Sequence, residues 1–213
     1  MNGAGHMIGE RRADPLVESP GSGSRLAVRK AAMRDISPIL DLINGYAARG
    51  IMLPRTEFEM SEAIRDFTVV TLDQELLGCG ALHFYSPSIG EIRSLAVHEP
   101  AKTHGVGRKI VEALVLEAQE YELDAVFAFT YVDGFFNKVG FHVVERGVLP
   151  LKAWKDCVRC PKFQACDEIA VLRILRPDRW EDGQTQPWGY APWGYPKAAP
   201  DDQLIQLPIP RKL

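Results

Sequence analysis

Between residues 26 and 175 the period of the apolar positions changes several times, and each change marks an element. Leu26-Ala27-Val28-Arg29-Lys30 reads as a first strand. Ile36, Ile39, Leu40 and Ile43 recur at helical spacing, which predicts a helix over Ile36 to Ala47, its start capped by Asp35 or by Ser37-Pro38. Thr56 stands three residues before Glu59, the capping-box pattern in which each side chain answers the other's backbone N–H. The helix it opens is expected to run towards Phe67. A hairpin follows, with strands Thr68–Leu72 and Leu76–Tyr85 around a turn at Asp73-Gln74-Glu75. Glu91 to Val97 reads as the next strand. Val106, Ile110, Ala113, Leu114 and Ala118 line one face of a helix over 105–120. Ala125 to Thr130 is an apolar run short enough to be a buried strand. A short helix at Gly134–Lys138 and strands at His142–Glu145 and Ile169–Leu175 complete the pattern. The order predicts an α/β (α+β) fold, a mixed sheet with helices on its faces.

The flanks break the pattern. Residues 1–24 are rich in Gly, Ser, Pro and charge, a composition that cannot offset the entropy of ordering, and read as a flexible tail. Residues 25–176 form the expected domain. Residues 177–213 read as a Pro/Trp/Tyr-rich arm in which Pro-Trp-Gly-Tyr occurs at 187–190 and 192–195. The readings of this arm stay open: an extended tail resting its rings on the domain, or an arm that binds a partner or exchanges within a homodimer. The 213 residues carry a formal charge of −3 and an apolar fraction of 46%, so nothing global points to nucleic acid or an anionic membrane. No apolar run approaches the ~20 residues of a membrane span, and no apolar stretch follows Arg11 and Arg12 as a secretory signal would require. The expectation is a cytoplasmic protein.

Candidate chemistry begins with Lys102-Thr103-His104-Gly105-Val106-Gly107-Arg108, set between a strand and a helix. A helix N-terminus presents N–H groups without intrahelical partners and a positive dipole, and glycines let backbone approach an anion closely. Lys102 and Arg108 add positive charge. Further on stands Phe135-Phe136-Asn137-Lys138-Val139-Gly140-Phe141. These two segments resemble the phosphate loop and the Phe-Tyr-x-x-x-Gly-Phe motif of the GNAT acetyltransferases, in the same order and on the same kinds of element. Lysine replaces the family's Gln/Arg at 102, and Phe136 replaces its frequent tyrosine.

The resemblance covers about residues 25–150. It implies a mostly antiparallel sheet with helices on both faces and a splayed central strand pair. It also implies acetyl-CoA as cosubstrate. Leu95, Ala96 and Val97 would pair through their backbone with the pantetheine arm. The amides of His104, Gly105, Val106, Gly107 and Arg108, with Lys102 beside them, would hold the pyrophosphate. Phe136 is carried over as a cofactor contact.

A narrower resemblance lies in Ile51-Met52-Leu53-Pro54-Arg55-Thr56, Gly78-Cys79-Gly80-Ala81-Leu82-His83, Gly90-Glu91-Ile92-Arg93-Ser94-Leu95-Ala96-Val97 and Trp154-Lys155-Asp156-Cys157. These segments are similar to the short-form bacterial N-acetylglutamate synthases. That implies transfer of acetyl to the α-amine of L-glutamate, the entry to arginine biosynthesis. The family's strand-borne glutamate falls at Glu91, a base suited to strip the proton from an ammonium. Tyr131 is the candidate proton donor to the leaving thiolate, since Phe136 cannot donate. Glutamate brings two carboxylates, which the planar fork of arginine binds bidentately; Arg55 and Arg93 are the candidates. Two other readings remain: another acceptor, such as glutamine or a protein N-terminus, and a non-catalytic acetyl-CoA-binding sensor. Cys157-x-x-Cys160-x5-Cys166 leaves three readings open: free or buried thiols, a structural zinc with a fourth ligand such as His142, Asp167 or water, or a redox role.

Overall fold

The computed structural model describes residues 26–146, 149, 160–162 and 165–184. Seven strands form one sheet in the order β1-β2-β3-β4-β5-β7-β6. They are β1 (Leu26–Lys30), β2 (Phe67–Leu72), β3 (Glu75–Phe84), β4 (Ile89–Val97), β5 (Ala125–Thr130), β6 (His142–Val143) and β7 (Ile169–Ile174). Neighbours are antiparallel except β4 and β5, which run parallel. A parallel pair needs a crossover, and α3 (Val106–Glu120) supplies it. The apolar stripe of α3 packs Val106, Ile110 and Leu114 against Leu82, Ile92 and Val126 on one face of the sheet. Helices α1 (Ile36–Ala47) and α2 (Glu57–Ala63) cover the other face, where Ile39, Ile43 and Met60 meet Val69, Cys79 and Ala81. A third cluster holds Ile89, Phe127, Leu172 and Trp180 together. A short α4 (Asp133–Asn137) follows β5.

Three elements depart from the sequence reading. Helix α2 stops at Ala63, a single 3-10 turn spans Ile64–Asp66, and Phe67 is already a strand residue paired with Ala81. Pairing across the sheet and full burial of Phe67 override a helical continuation. Neither proposed cap acts on α1: Ser37 and Pro38 lie inside it, while the Asp35 carboxylate turns back to Arg29 and the Ala32 N–H. A helix α5 (Pro177–Gln184) stands where the arm was expected to begin, and its Trp180 is only 3% exposed. Its polar composition hides it in the sequence, because one buried indole fixes it in place of an apolar stripe. The Pro-Trp-Gly-Tyr repeats lie outside the described residues.

Two features of the sheet shape the site. The β4–β5 ladder covers only Ile89↔Ala125, Gly90↔Val126 and Glu91↔Phe127. Beyond it β4 runs on to Val97 and β5 to Thr130 without pairing with each other, so a V-shaped cleft opens towards their C-terminal ends. The β3–β4 register also shifts between Cys79↔Ala96 and Ala81↔Arg93, which inserts one extra residue on β4. Ser94 sits in that bulge with φ +54°, a left-handed conformation uncommon outside glycine.

Candidate active site

Glu91 occupies the last rung of the β4–β5 ladder, where the cleft begins, and lies opposite His83 of β3. Its side chain is 1% exposed, among the most buried large side chains. Strand alternation puts Arg93, two residues on, on the same face as Glu91, and Arg93 is half-buried. The bulge next to Arg93 receives Arg55 from the loop before α2: Arg55 Nη2 donates to Ser94 Oγ at 3.2 Å. The loop is held by Asn44 of α1, whose side-chain amide accepts from Arg55 N at 2.9 Å and donates to Arg55 O at 3.0 Å. Glu91, Arg93 and Arg55 therefore converge on one segment of β4.

The other end of β4 meets the phosphate loop. A 3-10 turn over Glu99–His104 leads to Gly105, whose φ of +72° is left-handed. That glycine turns the chain into α3, whose first backbone bond runs from Lys109 N to Gly105 O at 3.0 Å. The N–H groups of Val106, Gly107 and Arg108 thus lack partners inside the helix and carry the positive end of its dipole. Lys102 Nζ donates to Glu99 at 2.9 Å and lies over the Tyr46 ring; the bond to Glu99 holds its ammonium pKa above the ordinary value. Arg108 Nε pairs with Glu112 at 2.7 Å. Both pairs are exposed, so a phosphate can replace the carboxylates at small cost. His104 is exposed, its Nδ1 3.1 Å from Pro100 O.

Val97 faces the cleft with its backbone. His98 N bonds Leu77 O at 2.9 Å, which makes Gly78↔Val97 the rung whose amides point away from β3. Leu95 and Ala96 lie between this rung and the bulge, Leu95 packed on the α3 cluster and Ala96 on the α1 face.

Two sequence-based candidates are engaged by other parts of the fold. Phe136 is 3% exposed inside the α3 cluster, edge-on to Phe141, and offers its ring to the core rather than to a cofactor. Phe135 stands at the loop instead: a Cβ at Gly107 would lie 3.4 Å from its ring. Adjacent residues of a short helix face different ways, and the motif alone does not say which ring turns inward. Tyr131 follows β5 at the mouth of the cleft, but its hydroxyl donates to Asp167 Oδ1 at 2.9 Å and accepts from Lys162 Nζ at 3.1 Å. Loss of solvent raises the Tyr131 pKa, Asp167 adds to the rise and Lys162 opposes it. In the sequence nothing singled out Ser94, Asn44 or Tyr46, because serine carries no mark of a left-handed φ and the other two act through backbone atoms.

Cys157 lies outside the described residues. Cys160 and Cys166 are half-buried free thiols, and among the described residues no three His, Cys, Asp or Glu side chains are placed to hold a metal ion. No helix among the described residues is long and apolar enough to cross a membrane.

Residues 41–142 match the acetyltransferase (GNAT) family. The chain is 42% identical over 148 residues to an uncharacterized N-acetyltransferase of Chlorobaculum tepidum, covering 70% of this chain and 96% of that protein. It is 38% identical over 158 residues to an amino-acid acetyltransferase of Mycobacterium tuberculosis, covering 72% and 89%. The fold is similar to that of N-acetylglutamate synthase from Neisseria gonorrhoeae complexed with coenzyme A and N-acetyl-glutamate. The TM-score is 0.64 at 26% identity, over 73% of this chain and 36% of that one.

Proposed function

The chain belongs to the GNAT acetyltransferase family and is an acetyl-CoA-dependent acyltransferase, and we propose that it acetylates the α-amine of L-glutamate. The observation that carries this reading is the convergence of a buried carboxylate, Glu91, with Arg93 and Arg55 on the β4 segment where the cleft opens. Relatives named amino-acid acetyltransferase and a similar fold solved with N-acetyl-glutamate support an acidic amino acid as acceptor.

The chain's groups divide the work along β4. The phosphates of acetyl-CoA lie on the α3 N-terminus beside Lys102 and Arg108, and the pantetheine arm follows the cleft-facing backbone of β4 from Val97. The thioester thereby reaches the bulge, beside Glu91. Arg55 and Arg93 bind the acceptor's carboxylates, which fixes the amine within reach of the thioester carbonyl. An amine of an amino acid is mostly protonated near neutral pH, so Glu91 takes its proton directly or through water. The nitrogen lone pair attacks the carbonyl carbon, backbone N–H groups of β4 stabilise the oxyanion, and the C–S bond breaks. The thiolate leaves with the electron pair and takes up a proton. Tyr131 serves as donor by turning its O–H from Asp167 towards the sulfur, with the Lys162 ammonium beside it to replace the proton.

The test is free-thiol release from acetyl-CoA by the purified protein against L-glutamate, L-glutamine, L-aspartate and no amine. Release is expected to depend on L-glutamate. Arg55→Ala should raise the KM for glutamate about 10-fold or more, one charged hydrogen-bond partner being lost. Release with another amine and not with glutamate would move the acceptor. Tight acetyl-CoA binding with no release for any amine would leave a non-catalytic acetyl-CoA-binding protein.

A further inference from the structure

Three hydrogen bonds of helix α1 reach the loop that carries Arg55 and the strand β4. On one flank, Asn44 engages the backbone of Arg55 in both directions, at 3.0 Å and 2.9 Å, so that residue's N–H and C=O are both tied to α1. Arg55 in turn donates to Ser94 at the bulge, at 3.2 Å. On the other flank, the buried Tyr46 hydroxyl donates to Val97 O at 2.7 Å, on the strand edge that points away from β3 and into the cleft. The Tyr46 ring is flanked by Arg49 at 4.3 Å and Lys102 at 5.2 Å, and both cations bond Glu99. Asn44 and Tyr46 are two residues apart, about 200° around the helix, so α1 cannot roll without breaking one grip or the other.

We infer that the C-terminal turn of α1 holds the acceptor loop and the acetyl-CoA strand in register, Asn44 acting through Arg55 and Tyr46 through the Val97 carbonyl, both as positioning residues. This rests on the reading that Arg55 meets the acceptor and that β4 carries the pantetheine arm. Among the described residues no strand pairs with Ser94 to Val97 on the cleft side, so β3 alone cannot fix how far the segment leans into the cleft. The two α1 contacts anchor its ends. Attack by the amine needs the reacting atoms about 3–3.5 Å apart, and a displacement near 1 Å can cost about 100-fold in rate.

The two grips are separable by variant. Tyr46→Phe keeps the ring and its cations and removes only the hydroxyl. It should weaken acetyl-CoA binding about 3- to 10-fold by calorimetry, the worth of one hydrogen bond, with the KM for L-glutamate unchanged. Asn44→Ala should lower kcat/KM for L-glutamate about 10- to 100-fold while the acetyl-CoA Kd stays within about twofold of the unaltered protein. Asn44→Asp, which keeps the acceptor for Arg55 N and loses the donor to Arg55 O, should fall between. Far-UV circular dichroism and Tm confirm that each variant is folded. Folded variants with unchanged constants, or with both constants altered in the same proportion, would overturn the inference. If the unaltered protein turns over another amine, the glutamate reading fails and the same measurements are made with that amine. If it turns over none, the acetyl-CoA Kd still decides Tyr46, and the Asn44 assignment is overturned.

Discussion

Cys79 and Glu91 show how much one side chain's surroundings decide. Both sit in the central strands and both are buried, yet only Glu91 stands where the sheet opens. Glu91→Gln keeps the shape of the side chain and removes its basicity. We expect kcat to fall about 10²- to 10⁴-fold, the ordinary contribution of a general base, with the acetyl-CoA Kd unchanged. Cys79 lies in the core beneath α1, and burial pushes its thiol pKa up to about 12, against a smaller lowering by Arg55. The thiolate is the reactive form, so Cys79 should resist iodoacetamide at pH 8 in the folded protein and react on unfolding, as peptide mass spectrometry would show. Alkylation of native Cys79 at a rate typical of exposed thiols would contradict its placement.

At the scale of elements, the two halves of the sheet are joined by contacts that admit little change. Gly78 of β3 carries no Cβ because one would lie 2.8 Å from Ala96 O of β4. The obstacle is backbone of the strand that lines the cleft, so it cannot rotate away. Gly78→Ala should destabilise the fold by about 1–3 kcal/mol, read as a lowered Tm, and weaken acetyl-CoA binding in the same protein. The join between β1 and α1 depends on charge instead. Arg29 grips Asp35 with two bonds, 2.7 Å and 2.8 Å, and these hold the Asp35 carboxyl below the usual carboxylate range despite its burial. A carboxyl whose pKa is depressed by folding stabilises fully above its unfolded value of about 3.9 and loses that stabilisation as pH falls through the folded value. Denaturant titrations between about pH 6 and pH 2 should show the unaltered protein losing about 1–3 kcal/mol more than Asp35→Asn over that range. Parallel pH profiles would show that the pair contributes nothing.

Over the whole molecule, the far side of the sheet is closed by a residue that looks like part of a tail. Trp180 joins Ile89, Phe127 and Leu172 beneath the strands that lead to Glu91. Trp180→Ala would leave a cavity there and should cost about 3–5 kcal/mol, measured by chemical denaturation. Because Ile89 and Phe127 belong to the ladder whose end sets the cleft, the same variant should also lower activity at temperatures where it remains folded. A fully active, equally stable Trp180→Ala protein would show that α5 is dispensable.

What the amino-acid sequence determined by itself is the run of strands and helices from β1 to β7 and most of their bounds. The helical period of Ile36, Ile39 and Ile43 and the unbroken apolar run of Ala125–Thr130 are local signals, written wherever one face of a segment must be buried. The Thr56–Glu59 capping box and the glycines before α3 are local as well, because a cap and a left-handed turn are satisfied within a few residues. Glu91, Arg93 and Arg55 were legible as types suited to the chemistry, and their resemblance to family segments placed them in order along the chain. Only the tertiary structure decided which of them meet. The splay at Glu91↔Phe127, the extra residue at Ser94 and the reach of Arg55 to that bulge depend on pairing between segments far apart in sequence. The same holds for the inward turn of Phe136, the engagement of Tyr131 with Asp167 and Lys162, and the burial of Trp180. Periodicity records that a side chain is buried; it does not record against what, and strand register and helix rotation, which settle that, are properties of the packed sheet.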